Sequence, residues 1–294
     1  MGLQSAYTCK LGDTVLAGIT TLDSATNPEV QSDVGIGSQF PQFAAVTGVK
    51  PRVLFQSRAI ASVLAVTGTT GSAAFSDLSK FVAYWADLVD GVISTAGTSY
   101  SMNRGVLVPR RLQCSHRQDA VLDLEAVSHS DDGATDPLTV ATEATLPAII
   151  QDNVRHTLKS ATIGGIDLGC ITDVSIDFGI NVDTLGCKSD IFDKHITKDQ
   201  GITSVINITT LESGLLAGSG IPLKGKGAAH ADTSIVLRQR ETDGIGFSAA
   251  DDIEITAHGL ATYQNRSGQG PARAQSVIQV VCTWDGTNAP LLIT

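Results

Sequence analysis

Hydrophobic and polar residues alternate with a period of two over much of this chain. The clearest run is Val174-Ser175-Ile176-Asp177-Phe178-Gly179-Ile180-Asn181-Val182, which sets five apolar side chains on one face and small or polar residues on the other. That is the pattern of a half-buried strand. The same alternation marks residues 120–126, 204–210 and 252–258, each bounded by Gly, Asp or Asn. Residues 277–284 are apolar on both faces and predict a strand covered on both sides or pressed against a neighbouring subunit. One segment has a different period. Phe75, Leu78, Val82, Trp85 and Val89 fall at helical spacing between Ser76, a candidate N-cap followed by Asp77, and Gly91, a candidate C′ residue. A helix is therefore expected over about residues 76–90.

Long polar connectors separate the strands, notably Asp23 to Gln42, Ser128 to Glu143 and Leu185 to Gln200. Loops beyond roughly 12–15 residues are uncommon in compact domains unless they work or are disordered. These carry Pro28, Pro41, Pro137, Phe40, Ile191 and Phe192, too much rigid and apolar content for a slack linker, so they read as arms that order against a partner. The chain also repeats itself. Leu16-Ala17-Gly18-Ile19-Thr20 returns as Leu168-Gly169-Cys170-Ile171-Thr172, and Gly48 followed by Val53-Leu54-Phe55 returns as Gly201 followed by Val205-Ile206-Asn207-Ile208. So long a spacing exceeds solenoid periods of roughly 20–50 residues. It implies a duplicated β unit, with lobes over 1–150 and 151–294, or else two unrelated segments sharing a Gly-Ile-Thr turn. The expected helix has no counterpart in the second half, so any duplication is imperfect.

Composition narrows the class. Two lobes suit a chain of 294 residues, since single cores stop growing near roughly 250. Charged residues make up 17% against about 25% in typical soluble domains, which points to extensive subunit contacts. The net charge of −10 argues against a protein that grips nucleic acid, because that affinity comes from Lys and Arg displacing counterions. Cys9, Cys114, Cys170, Cys187 and Cys282 are scattered and contain no C-x-x-C pair, so neither a disulfide framework nor a zinc ribbon is indicated. The first six residues have no signal-peptide pattern, and no apolar run approaches the roughly 18 residues of a membrane helix. Assembly in a reducing cytoplasm is the expectation.

No catalytic constellation stands out: G-x-S-x-G, H-E-x-x-H, Walker and Rossmann patterns are all missing. Gly35-Ile36-Gly37, Gly218-Ser219-Gly220 and Gly225-Lys226-Gly227 lack phosphate-loop spacing and read as turns. Cys114 with His116 is half a metal site at best, and His129, Asp131, Asp132 and Asp136 depart from the EF-hand order. Arg110-Arg111 with Arg117 is the densest basic cluster and reads as a salt-bridging interface. The two N-x-[ST] matches, Asn207-Ile208-Thr209 and Asn265-Arg266-Ser267, are not expected to be modified. Neither enzymatic activity nor a cofactor or metal is expected.

Many short strands, one helix and long arms, together with the segments Gly164-Gly165-Ile166-Asp167-Leu168, Val174 to Val182, Gly105 to Pro109 through Asp119-Ala120, Asp131-Asp132-Gly133 and Pro137-Leu138, give a chain that resembles a tail tube protein (major tail protein) of a long-tailed bacteriophage. The resemblance covers most of the length. It implies a β-barrel or β-sandwich fold and rings of trimeric pseudo-sixfold or hexameric subunits whose inner sheets join around a lumen. The rings stack into a tube in the virion tail, assembled in the host cytoplasm, with arms contacting the next ring and other tail proteins. DNA passes through the lumen without specific binding, so the lining should be acidic or neutral. Asp123, Glu125, Asp177, Asp183 and Glu254 are candidate lining residues, or else face outer solvent. Another virion protein, of the capsid or its decoration, or a secreted carbohydrate-binding module, are the alternatives; an aromatic fraction of 5% is low for stacking on sugars.

Overall fold

The computed structural model describes residues 3–68, 71–150, 154–198, 201–211, 230–240, 247–268, 274–284, 286–287 and 289–294. It is mainly β, in antiparallel sheets, with one short α-helix among the described residues. The glycine clusters at 218–220 and 225–227 lie outside the described residues.

The first half runs through β1 (Leu3–Leu11), β2 (Thr14–Val15), β3 (Ile19–Ala25), an arm of β4 (Pro28–Asp33) and β5 (Phe43–Val49), then β6 (Arg52–Ser57) and helix α1 (Ile60–Thr67). It continues with β7 (Ala73–Phe75), β8 (Phe81–Val89), β9 (Val92–Met102), β10 (Gly105–Ser115), β11 (Val121–Ser128) and β12 (Leu138–Thr145). The second half contains β13 (Arg155–Ile163), β14 (Ile166–Asp167), β15 (Ile171–Asp177), a second arm of β16 (Val182–Leu185) and β17 (His195–Lys198), and β18 (Val205–Thr210). It ends with β19 (His230–Arg240), β20 (Phe247–Ser267), β21 (Gln275–Cys282) and β22 (Leu291–Ile293).

The pairings of the first half recur in the second, bulges included. β1 pairs with β8 from Leu3↔Leu88 to Leu11↔Phe81, bulged between Ala6 and Thr8; β13 pairs with β19 from Arg155↔Arg240 to Ile163↔Thr233, bulged between Leu158 and Ser160, every position 152 residues on. β3 on β6 (Ile19↔Ser57, bulge to Thr21) is matched by β15 on β18 (Ile171↔Thr210, bulge to Asp173). β10 on β11 (Gly105↔Ser128, bulge between Pro109 and Arg111) is matched by β20 on β21 (Gly259↔Cys282, bulge between Tyr263 and Asn265). β12 on β9 is matched by β22 on β20, and the two arms share one register, Asp33↔Phe43 against Leu185↔His195.

Backbone demands repeat with the register. Gly12 (φ +60°) and Gly164 (φ +59°) turn equivalent hairpins, while Gly18 (φ +65°) and Cys170 (φ +49°) share the left-handed position after them, which costs a non-glycine roughly 1–2 kcal/mol. A Cβ on Gly105 would sit 2.1 Å from the Val127 carbonyl oxygen, and one on Gly259 would sit 2.3 Å from that of Val281.

Each half stacks two β layers. In the first, Cys9, Phe81, Ala83 and Met102 on β1, β8 and β9 bury against Val53, Phe55, Leu107, Leu122 and Leu124 on β6, β10 and β11, with the Phe55 and Phe81 rings 5.6 Å apart. In the second, Ala161, Ile163, Ile235, Leu237 and Ile255 meet Val174, Ile176, Ile206, Ile208, Ile278 and Val280 in the same continuous core. The 21-residue β20 corresponds to β9 and β10 run together, so it belongs to both layers. The halves join edge to edge, with β10 pairing β15 from Arg111↔Asp177 to Ser115↔Asp173. This makes one wall in the order β3-β6-β11-β10-β15-β18-β21-β20 within a sheet of 13 strands. Among the described residues no sheet closes into a barrel.

The expected helix over 76–90 is replaced by a 3₁₀ turn at Asp77–Ser79 followed by strand β8. The start signal is real: the Ser76 and Ser79 side chains form a reciprocal capping box. Lys80 is extended and ends the turn after three residues. Leu78, which a helical stripe would bury, is 99% exposed. Gly91 is no C-cap. Asp90 (φ +53°) and Gly91 (φ +78°) form the tight turn joining paired Val89 and Val92, the Asp-Gly hairpin chemistry whose twist suits flanking strands. The α-helix instead occupies Ile60–Thr67, burying Ile60, Val63 and Thr67. The corresponding stretch of the second half, 213–220, lies outside the described residues.

Candidate functional site

Alternation gives the long wall two unlike faces. One carries the core residues named above; the other mixes polar side chains with Leu54 on β6, Val121 on β11, Val205 on β18 and Val277 and Val281 on β21, and is partly or fully open. Asp23 on β3, Gln56 on β6, Asp123 on β11, Arg111 and Gln113 on β10, Asp173, Ser175 and Asp177 on β15, Asn207 on β18, Gln279 on β21 and Thr262 on β20 all point to this second face. Register lines four of them into one row, Gln56↔Asp123↔Arg111↔Asp177. The Gln56 amide donates to Asp123 Oδ1 at 2.8 Å, and Arg111 Nε donates to Ser175 Oγ at 2.9 Å. Asp177 accepts the Gly179 N–H at 2.9 Å, which ends the alternating run at 174–182 as a strand. None of the wall's eight strands contains a lysine. Four aspartates surround one open arginine, so the face is acidic and hydrogen-bonded within itself.

Glu125 stands in the same strand row but is buried, 3% exposed, because the second arm lies over it. Arg52 Nη1 reaches Glu125 Oε1 at 3.0 Å, and Arg110 grips Oε2. The same arginines hold the arm: Arg110 donates to the Ile180 carbonyl and Arg52 donates to that of Val182. Val182 packs against Val108 and Val127, and the N–H groups of Ile191 and Phe192 both reach the Gly133 carbonyl. Asp183, exposed on the arm, faces Lys50 and Arg52 at 3.5 Å each. Its carboxyl is held below the usual range, first by the Thr184 N–H and then by these cations. Lys50 is pushed up by its hydrogen bond with Glu29, at 3.1 Å, and by Asp183 and Asp193.

Of the five sequence-selected carboxylates, Asp123 and Asp177 share the open row, Glu125 and Asp183 share Arg52 at the arm, and Glu254 is brought to none of them. It stands exposed on the other layer, accepting from Ser234 Oγ at 2.8 Å. The loop carrying His129 and Asp132 is self-satisfied. Asp132 accepts the N–H groups of Thr135 and Ala134 and two hydroxyls, which lowers its carboxyl, and Asp131 pairs with Arg104 at 2.9 Å. Among the described residues no group of three or more His, Cys, Asp or Glu is arranged to hold a metal. Cys114 is buried at the lobe junction, where burial pushes its thiol up. Sequence reading missed the Arg52–Glu125–Arg110 cluster; the signal was Arg110 and Glu125 sitting in adjacent apolar strands, where an unpaired charge does not survive. Comparison with protein-family models and with curated proteins finds no match to this chain.

Proposed function

We propose that this chain is a structural virion protein, the tail tube subunit of a long-tailed bacteriophage, whose two β units form adjacent segments of a ring around a DNA conduit. The observation that carries the reading is the wall itself. Two equivalent units share one sheet, leaving an unpaired strand edge at each end among the described residues, β3 on one side and residues 261–267 of β20 on the other. Open edges of this length invite pairing with another chain, and a head-to-tail contact closes into a ring when its rotation divides a full turn. Three chains of two units complete a pseudo-sixfold ring, and such rings stack into the tube. The lysine-free acidic face suits a bore through which a polyanion slides without sticking. No cofactor or catalytic group takes part. Replacing Asp123, Asp173 and Asp177 together with Lys is expected to leave tubes intact and slow genome ejection; unchanged ejection through such tubes removes the conduit reading.

A further inference from the structure

The junction inside the chain specifies the junction between chains. Residues of β10 have counterparts 154 positions on in β20, and residues of β15 have counterparts 152 positions back in β3. β10 and β15 are joined; their counterparts are both unpaired on the corresponding side among the described residues. Resting on the ring-subunit reading above, we infer that a second copy of this chain binds head to tail by pairing its β3 with β20, in the register Asn265↔Ala25, Arg266↔Ser24 and Ser267↔Asp23.

The surroundings of both edges match this contact. Where Arg110, paired with Glu125, donates to the Ile180 carbonyl, the second half places Gln264 hydrogen-bonded to Thr262 at 2.7 Å and to Gln279 at 3.2 Å, with Gln264 exposed beside the place that the carbonyl of Pro28, the counterpart of Ile180, takes in the paired copy. Where Val182 fills a seat made by Val108 and Val127, the equivalent seat is Thr262 and Val281, both half-exposed, and the equivalent plug is Val30, 62% exposed. Where the Phe192 N–H reaches the carbonyl of Gly133 (φ +77°), the counterparts are Phe40, 74% exposed, and Gly286 (φ +97°). Asn265 takes the place of Arg111 and Asp23 that of Ser175, whose hydrogen bond crosses the existing junction. The first arm is thus a copy of the second arm without a surface beneath it among the described residues. Its apolar side chains are covered when the next copy supplies that surface.

The test uses the full chain with Cys170 and Cys187 replaced by Ser. Ser24→Cys with Arg266→Cys places two thiols opposite each other, and mild oxidation is expected to give a ladder of linked chains. Ala25→Cys with Arg266→Cys places them on opposite faces and is expected to give at least tenfold less. Val30→Asp is expected to weaken self-association by roughly tenfold or more, the effect of losing one buried valine, with an unchanged circular dichroism spectrum. Rings seen by electron microscopy without the in-register link overturn this junction and leave the tube reading standing. The in-register link in open chains without a bore supports the junction and removes the tube reading. A chain that remains monomeric at high concentration overturns the junction.

Discussion

Glu125→Ala tests whether one carboxylate fastens the second arm to the wall. In the folded chain the Glu125 side chain is 4% exposed, and the Arg52 and Arg110 side chains are 25% and 27% exposed. Removing the shared partner of a buried ion pair costs about 3–5 kcal/mol. The two guanidiniums keep about a quarter of their surface in water and recover part of that by hydration, so about 2–3 kcal/mol is expected. For a chain of 294 residues that corresponds to a fall in Tm of about 3–5 °C. The loss should be local as well as global, because the same arginines hold the carbonyls of Ile180 and Val182. Urea unfolding gives the magnitude, and limited proteolysis within residues 186–194 reports release of the arm. The second half supplies an internal control: Gln264 and Gln279 occupy the places of Arg110 and Glu125. The double variant Arg110→Gln, Glu125→Gln should therefore be more stable than Glu125→Gln alone, since it leaves one fewer unpaired cation. Glu125→Ala with stability within about 0.5 kcal/mol of the parent and an equally protected arm would show that the carboxylate does not fasten it.

Three further outcomes follow from the geometry. The lowered pKa of Asp183 means that its contribution is complete above the ordinary aspartate value of about 4 and lost as pH falls through the lowered value. The protection factors of amides in residues 182–185 and 195–198 should therefore fall below about pH 4, and equal protection factors at pH 7 and pH 3 contradict this. Gly259→Ala should cost about 1–3 kcal/mol, as should Gly105→Ala, because each new Cβ meets a carbonyl oxygen across the pairing; thermal unfolding of both variants checks it, and a neutral result for either breaks the equivalence. Cys170 and Cys187 should react with a thiol reagent in the native chain while Cys9, Cys114 and Cys282 react only on unfolding, since burial pushes these three up, Cys282 to about 11.

The strands were legible where one face is core and the other polar, as at 120–126 and 204–210, because burial then imposes the period. The Gly-Ile-Thr echo was legible because a left-handed position recurs at Gly18 and Cys170. A second echo went unread: Asp132-Gly133 to Pro137-Leu138 against Asp285-Gly286 to Pro290-Leu291, which leads each half into its equivalent strand. Residues 81–89 misled because Phe81, Val82, Ala83 and Ala86 are buried in a strand with neighbours on both sides, so a subset of a continuous apolar run fell at helical spacing. α1 was invisible for the opposite reason, being apolar all round with no acidic first turn and no basic last turn. The polar face was legible only as separate carboxylates. That Asp123 and Asp177 form a row while Glu125 lies under an arm depends on cross-strand register and arm docking, which one strand's sequence does not encode.

The most direct measurement is an end-on electron microscopy image of the purified, assembled chain. The expected image is a closed ring with sixfold-like lobes, three chains around it, and a central bore faced by the lysine-free wall. Solid particles, shells, or rings whose bore is formed by the β13–β19 layer carrying Lys159 would contradict it.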